Sequence, residues 1–182
     1  MKLIKRTILM RTVLAAFACA VLAVFAVQAE EDGMKDLVVK LGFDEIPDEH
    51  TCEGADVSPG IEVAGLNATS MAVMVDDADA PSGTFNHWLI WNIPPTAFIP
   101  RAIARNATLT EPFAALQGRN SFGEIGYAGP CPPPGKPHRY YFRVYGLDRM
   151  LDLREGASAA DLRKAMQGHV LQVGEAMAIY GR

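Results

Sequence analysis

Cysteine is scarce and never clustered. The chain has three among its 182 residues, and none sits near another at the close spacing of a structural zinc site. Positive charge is also short. The formal net charge is −4, and Lys2, Lys5, Arg6 and Arg11 all precede residue 30, so the remainder carries 13 basic against 21 acidic side chains, a balance of −8. This excludes a general electrostatic affinity for nucleic acid or anionic lipid surfaces, and any anion recognition must be local. Helical periodicity is missing from most of the chain, so the crossover helices of a parallel α/β sheet have nowhere to form. No internal repeat or low-complexity segment follows residue 29. No Gly-x-Ser-x-Gly elbow surrounds Ser82 or Ser121, which leaves neither with the setting of an activated nucleophile.

The first 29 residues read as a targeting segment. A basic start is followed by an uncharged apolar run from Val13 to Val27, and Val27-Gln28-Ala29 supplies small residues for cleavage before Glu30. The expected product is one domain, residues 30–182, in the periplasm or outside the cell, with no stable membrane insertion. Cys52 and Cys131 remain. An even pair in an oxidising compartment reads as a disulfide, worth about 4–5 kcal/mol by chain entropy over its long loop. A free thiol near a pocket and a metal ligand are the alternatives.

Strands are expected at Leu37–Phe43, Ile61–Val63, Ser70–Val75, His87–Ile93 and Arg139–Leu147, from β-branched and aromatic content between Gly/Pro punctuation. Asp76–Gly83 is expected to break the third. Residues 96–137 are long and weakly periodic, so they are expected to be functional or to carry small elements. Ser158 can cap a helix, with Asp161 at N3 and an apolar face from Ala159, Leu162, Ala165 and Met166. Val170–Tyr180 is read as a final strand, with a second helix as the alternative. The fold class is therefore an all-β antiparallel sandwich with a peripheral helix near the C-terminus.

Four polar clusters stand out: Asp76-Asp77-Ala78-Asp79-Ala80-Pro81, Asn86-His87-Trp88, Gly118-Arg119-Asn120-Ser121-Phe122-Gly123, and Gly126–Tyr140, where a Gly/Pro loop leads into a strand. His138 and Tyr140, two apart on a strand, share a face, whereas Arg139 points the other way and suits bracing Asp77, Asp79 or Glu124. Each residue also has a structural reading: Asp77 and Asp79 as turn carboxylates, His87 as a strand-end histidine bonded to one carbonyl, Trp88, Trp91 and Tyr141 as core.

Taken together, these stretches resemble the phosphatidylethanolamine-binding proteins, in their bacterial Raf-kinase-inhibitor-like branch. The anchors are Asp77-Ala78-Asp79-Ala80-Pro81, His87-Trp88 with Asn92-Ile93-Pro94, Gly118-Arg119-Asn120, Tyr127–Pro133, His138-Arg139-Tyr140, and Cys52-Glu53-Gly54 with Ser58-Pro59. Ala78 departs from the proline usual there. The resemblance implies a sandwich of two antiparallel sheets with a small anion pocket at one end. Asp77, His87, Pro132, His138 and Tyr140 would line it, with Cys131 on the rim and Asp79 and Arg139 in support. Asp77, itself a poor partner for an anion, would orient His87 or His138.

The leading expectation is a non-enzymatic binding protein for a phosphate-like anion, needing no cofactor or metal. The alternative is an interaction regulator that inhibits a kinase, protease or other envelope partner, with the loops of residues 96–125 as its surface. A homodimer is compatible with either. A third reading makes Asp77, His87 and His138 the two-His-one-carboxylate site of a metal-dependent hydrolase.

Overall fold

The computed structural model describes residues 37–182 apart from Ser82. The expected signal peptide lies outside the described residues. Among the described residues, nine strands, one α-helix and one short 3-10 turn (Asp48–His50) follow in chain order. The strands are β1 (Val38–Lys40), β2 (Ile61–Ala64), β3 (Ser70–Asp77), β4 (Phe85–Ile93), β5 (Phe98–Ile99), β6 (Thr108–Leu109), β7 (Ala115–Gln117), β8 (His138–Leu147) and β9 (Val170–Tyr180). The helix, α1 (Ala159–Met166), precedes β9. The strands form two antiparallel sheets, ordered β1-β2-β5 and β6-β7-β4-β3-β8-β9. The expected sandwich is present, and Val170–Tyr180 is a strand of 11 residues. The weakly periodic stretch 96–137 carries three of the short strands.

The six-stranded sheet is apolar on both faces. Its inner face packs Val73, Val75, Trp88, Ile90, Phe142 and Val144 against Ile61, Val63 and Ile99 of the smaller sheet. Its outer face packs Ala72, Met74, Leu89 and Trp91 against Leu162 and Met166 of α1. Both tryptophans are fully buried, and each removes roughly 150–250 Å² from water. A strand covered on both faces loses the apolar/polar alternation, which is why β3 and β4 read as continuous apolar runs. The helix starts as its sequence predicts. Ser158 Oγ accepts from the Asp161 amide and the Asp161 side chain accepts from the Ser158 amide, a closed capping box.

Two local features steer side chains toward one end of the sheet. First, β3 does not break at Asp76 but continues through Asp77, which pairs with Tyr140 on one side and Phe85 on the other. Buried carboxylates are tolerated there because each finds partners: Asp76 takes Arg143 and Asn86, and Asp77 takes His138. Second, the β3–β4 register shifts between Val75 and Asp76, leaving His87 as the extra residue between Asn86 and Trp88. A bulge re-aims the chain and flips the side-chain phase. Phe85 and His87 therefore share the pocket side, and Trp88 and Ile90 still reach the inner core.

Candidate functional site

At that end of the large sheet lies a pocket of about 200 Å³. Asp77 of β3, His87 of β4, His138 and Tyr140 of β8, and Cys131 and Pro132 of the Gly/Pro loop all line it. The structure thus brings together the six pocket residues expected from the sequence. Phe85, Phe122, Ala80, Pro81 and Pro133 complete the wall and were not foreseen. Phe85 was accessible to reasoning, because it stands two residues before His87 on the same strand. Phe122 lies within the third polar cluster, Gly118–Gly123, but nothing local assigns it to the pocket.

The floor is polar and mostly dry. His87 is 3% exposed and Tyr140 1% exposed. The His87 ring meets Tyr140 edge-on at 5.3 Å and Phe122 at 5.6 Å. His138 stacks near Tyr140 at 6.5 Å. His87 Nδ1 donates to the Ala128 carbonyl at 2.6 Å, and His138 Nδ1 donates to Asp77 Oδ2 at 2.8 Å. Asp77 therefore orients His138, while a backbone carbonyl orients His87. The other Asp77 oxygen, Oδ1, accepts from the Asp79 amide at 2.8 Å.

Burial pushes the His87 pKa down from its ordinary value, opposed by the Ala128 carbonyl and the Asp77 charge. Burial also pushes the Tyr140 hydroxyl up, with Asp77 adding to the effect. That hydroxyl is the one fully buried side-chain polar atom among the described residues without a partner of hydrogen-bond geometry. Asp77 is the group nearest to partnering it, acting on it through both its charge and a hydrogen-bonding approach that falls short of full bond geometry.

The supporting residues sort cleanly. Arg139 faces away and forms a forked pair with Asp79, Nε to Oδ2 at 2.9 Å and Nη2 to Oδ1 at 2.7 Å. Those bonds hold the Asp79 carboxyl well below the usual carboxylate range. Of the three carboxylates it was suited to brace, Arg139 takes Asp79. The Gly/Pro loop is tied to residues 48–57. Tyr127 Oη donates to the His50 carbonyl at 2.7 Å, and the Gly129 amide donates to Asp56 Oδ1 at 2.6 Å. A Cβ on Gly129 would lie 2.2 Å from the His50 oxygen, so only glycine fits this crossing. The Cys52–Cys131 disulfide closes the same junction with Cα atoms 5.4 Å apart. Neither alternative, a free thiol or a metal ligand, describes these cysteines.

The hydrolase reading has less support. Ser121 Oγ accepts from the Asn86 amide at 2.9 Å and so staples its loop to β4. Ser82 is outside the described residues. Among the described residues no group of three or more His, Cys, Asp or Glu side chains converges as a metal cage would require. A second, shallower depression of about 690 Å³ is lined by Glu45, Asp48, Glu53, Tyr180 and Arg182. Its carboxylates repel anions, and its arginine is engaged by Glu53 and the Pro132 carbonyl.

Comparison with known proteins bears on the family and the fold. The family model described as phosphatidylethanolamine-binding protein matches residues 40–181. A UPF0098 protein of Pyrococcus horikoshii is 51% identical over 140 residues, covering 75% of this chain and 71% of that protein. Among solved structures, a phosphatidylethanolamine-binding protein homolog from Chlamydia trachomatis superposes with a TM-score of 0.72 at 31% identity, covering 81% of this chain and 98% of that one. E. coli YbcL, described as a new member of the mammalian family, gives a TM-score of 0.74 at 30% identity and covers 81% and 99%. None of these descriptions carries an enzymatic activity. With a matching family model, a shared fold and close relatives, this chain belongs to the phosphatidylethanolamine-binding protein family.

Proposed function

We propose that this binding protein holds a small oxyanion, phosphate or a phosphate-bearing headgroup, among His87, His138 and Tyr140. The observation that carries the reading is the Tyr140 hydroxyl: buried, without a hydrogen-bond partner, and part of the pocket floor. A buried donor left unmade costs about 1–3 kcal/mol, and a ligand oxygen would recover it. The Nε2 atoms of the two imidazoles make no hydrogen bond among the described residues and are the other polar atoms of the rings that line the pocket. Asp77 serves as the brace of His138 rather than as a contact for the anion.

Calorimetric or NMR titration with inorganic phosphate and phosphoethanolamine tests this. Saturable 1:1 binding is expected. Tyr140→Phe should weaken it about tenfold or more, since a hydrogen bond to a charged group contributes roughly 1.5–3 kcal/mol. The same variant should fold at least as stably, because it removes only an unmade bond. His138→Ala should also weaken binding. Absence of binding to the wild type, or equal binding by both variants, would overturn the proposal.

A further inference from the structure

The outer face of the large sheet is covered unevenly. Leu162 and Met166 of α1 close it over β3 and β4, where they pack on Ala72, Met74, Leu89 and Trp91. Toward the β8–β9 edge it opens. β9 is the edge strand, and its outward positions alternate with buried ones. Val173, Met177 and Ile179 stand in that outward row with Glu175, and Val170 and Leu171 extend it at one end. The five apolar side chains are each between 39% and 52% exposed. Scattered exposed aliphatics are ordinary, but a contiguous row of them marks a contact surface.

The adjoining row on β8 is Tyr141, Arg143 and Tyr145, all half-buried. Register sets Tyr141 beside Met177, Arg143 beside Glu175 and Tyr145 beside Val173. Arg143 Nε donates to Glu175 Oε2 at 3.0 Å, and the guanidinium carbon lies 4.8 Å from the centre of the Tyr141 ring. The ledge is therefore aromatic and cationic on one side of its seam, aliphatic and anionic on the other. Within these rows Glu175 is matched by Arg143, whereas the chain after residue 29 carries a balance of −8.

We infer that this ledge is the interface of a symmetric homodimer, each copy covering the other's. A two-fold axis lying along the seam, between the copies, turns the β8 row of one onto the β9 row of the other. Arg143 then meets the partner's Glu175, Tyr145 meets the partner's Val173, and Tyr141 meets the partner's Met177. An isologous contact needs a surface complementary to itself across the axis. Here charge meets opposite charge, and a thioether and an aliphatic side chain meet aromatic rings. An axis across the strands would instead set Glu175 on Glu175 and Arg143 on Arg143. Facing sheets pack about 10 Å apart with their strands nearly aligned, which suits such a contact. A ledge two strands wide and roughly 35 Å long, with its side chains, offers on the order of 600 Å² per copy, the lower bound of specific interfaces. Association is therefore expected in the micromolar range. A bilayer suits the ledge less well, because it would bury the Glu175–Arg143 pair with nothing to match it, and anionic lipid repels an acidic protein. The inference stands whether or not the pocket binds an anion.

Sedimentation velocity over a micromolar concentration series tests it, with flotation on phosphatidylcholine vesicles alongside. The protein should pass from monomer to dimer. Val173→Lys and Met177→Lys should each weaken association at least tenfold, with urea midpoints close to wild type because both side chains are exposed in the monomer. In NMR, the methyl resonances of Val173, Met177 and Ile179 should shift with protein concentration, while those of Val38, exposed on the smaller sheet, stay in place. A wild type that is monomeric throughout the series, a dimer that both lysine variants leave intact, or a monomer that floats with vesicles until Val173→Lys releases it would overturn the inference.

Discussion

Asp76 and Asp77 are neighbours in sequence and opposites in circumstance. Asp76 faces the outside of the large sheet, where Arg143 reaches it at 3.1 Å, Arg163 at 3.7 Å, and the Asn86 amide donates to it as well. Arg143 in turn holds Glu175 and covers the Tyr141 ring. Asp77 faces the pocket, where its side-chain partner is a histidine and its nearest phenol is left unbonded. Pleat alternation alone separates them. The outer face is neutralised by permanent cations that give it fixed geometry. The inner face keeps groups whose protons can move, with donor and acceptor sites unspent. Structural and ligand-facing chemistry are therefore divided between two sides of one strand, a residue apart.

Each half of that comparison can be broken separately. The largest effect is expected from the junction that fixes the pocket rim. Replacing Cys52 and Cys131 together by alanine should lower unfolding stability by about 2–5 kcal/mol. It should also weaken anion binding, because Pro132 and the adjoining loop lose their covalent tie; chemical denaturation and titration of the same variant read both. Next comes the outer face. Asp76→Ala leaves Arg143 with Glu175 alone and should cost about 2–4 kcal/mol in a urea titration, with phosphate affinity unchanged within twofold. A large loss of affinity would mean that the two faces are not independent.

The smallest effect is that of pH on the inner face. The His87 pKa is depressed below its ordinary value of 6.5 in the folded protein. The unfolded chain therefore binds the proton first as pH falls. Stability contributed by neutral His87 is whole above pH 6.5 and is lost as pH drops below it, with a limiting slope of about 1.4 kcal/mol per pH unit. Urea midpoints measured from pH 8 to pH 5 should fall on the acid side, and His87→Gln should flatten the curve. An unaltered slope in the variant would contradict the assignment.

Much of this was legible before any coordinates. The capping box at Ser158 and Asp161 and the shared face of His138 and Tyr140 follow from local rules of spacing, whereas Val170–Tyr180 allowed strand or helix until its pairing with β8 settled it. The direction of Arg139 also follows locally, since alternation sends it away from the pocket. The partner choices did not follow, because they depend on register. Asp77 could brace either histidine until the β3–β8 pairing placed Tyr140 opposite it. The bulge that turns His87 inward has no local signature, since Asn86-His87-Trp88 reads equally well in an unbroken strand.

His50 shows the limit from the other side. It is as buried as a site histidine and also bonds a carbonyl, Val57 at 2.8 Å. Its second nitrogen, however, lies 3.4 Å from Glu49. What separates the two histidines is whether that second nitrogen is left for a ligand, and only the tertiary fold decides that.

The most direct measurement is a high-resolution crystal structure of the protein grown with phosphate. One ion should lie within hydrogen-bond distance of Tyr140 Oη and of at least one of His87 Nε2 and His138 Nε2, with Asp77 still on His138 Nδ1. An ion bound elsewhere, or a pocket that stays free of phosphate at saturating concentration while Tyr140 keeps an unbonded hydroxyl, would contradict the account.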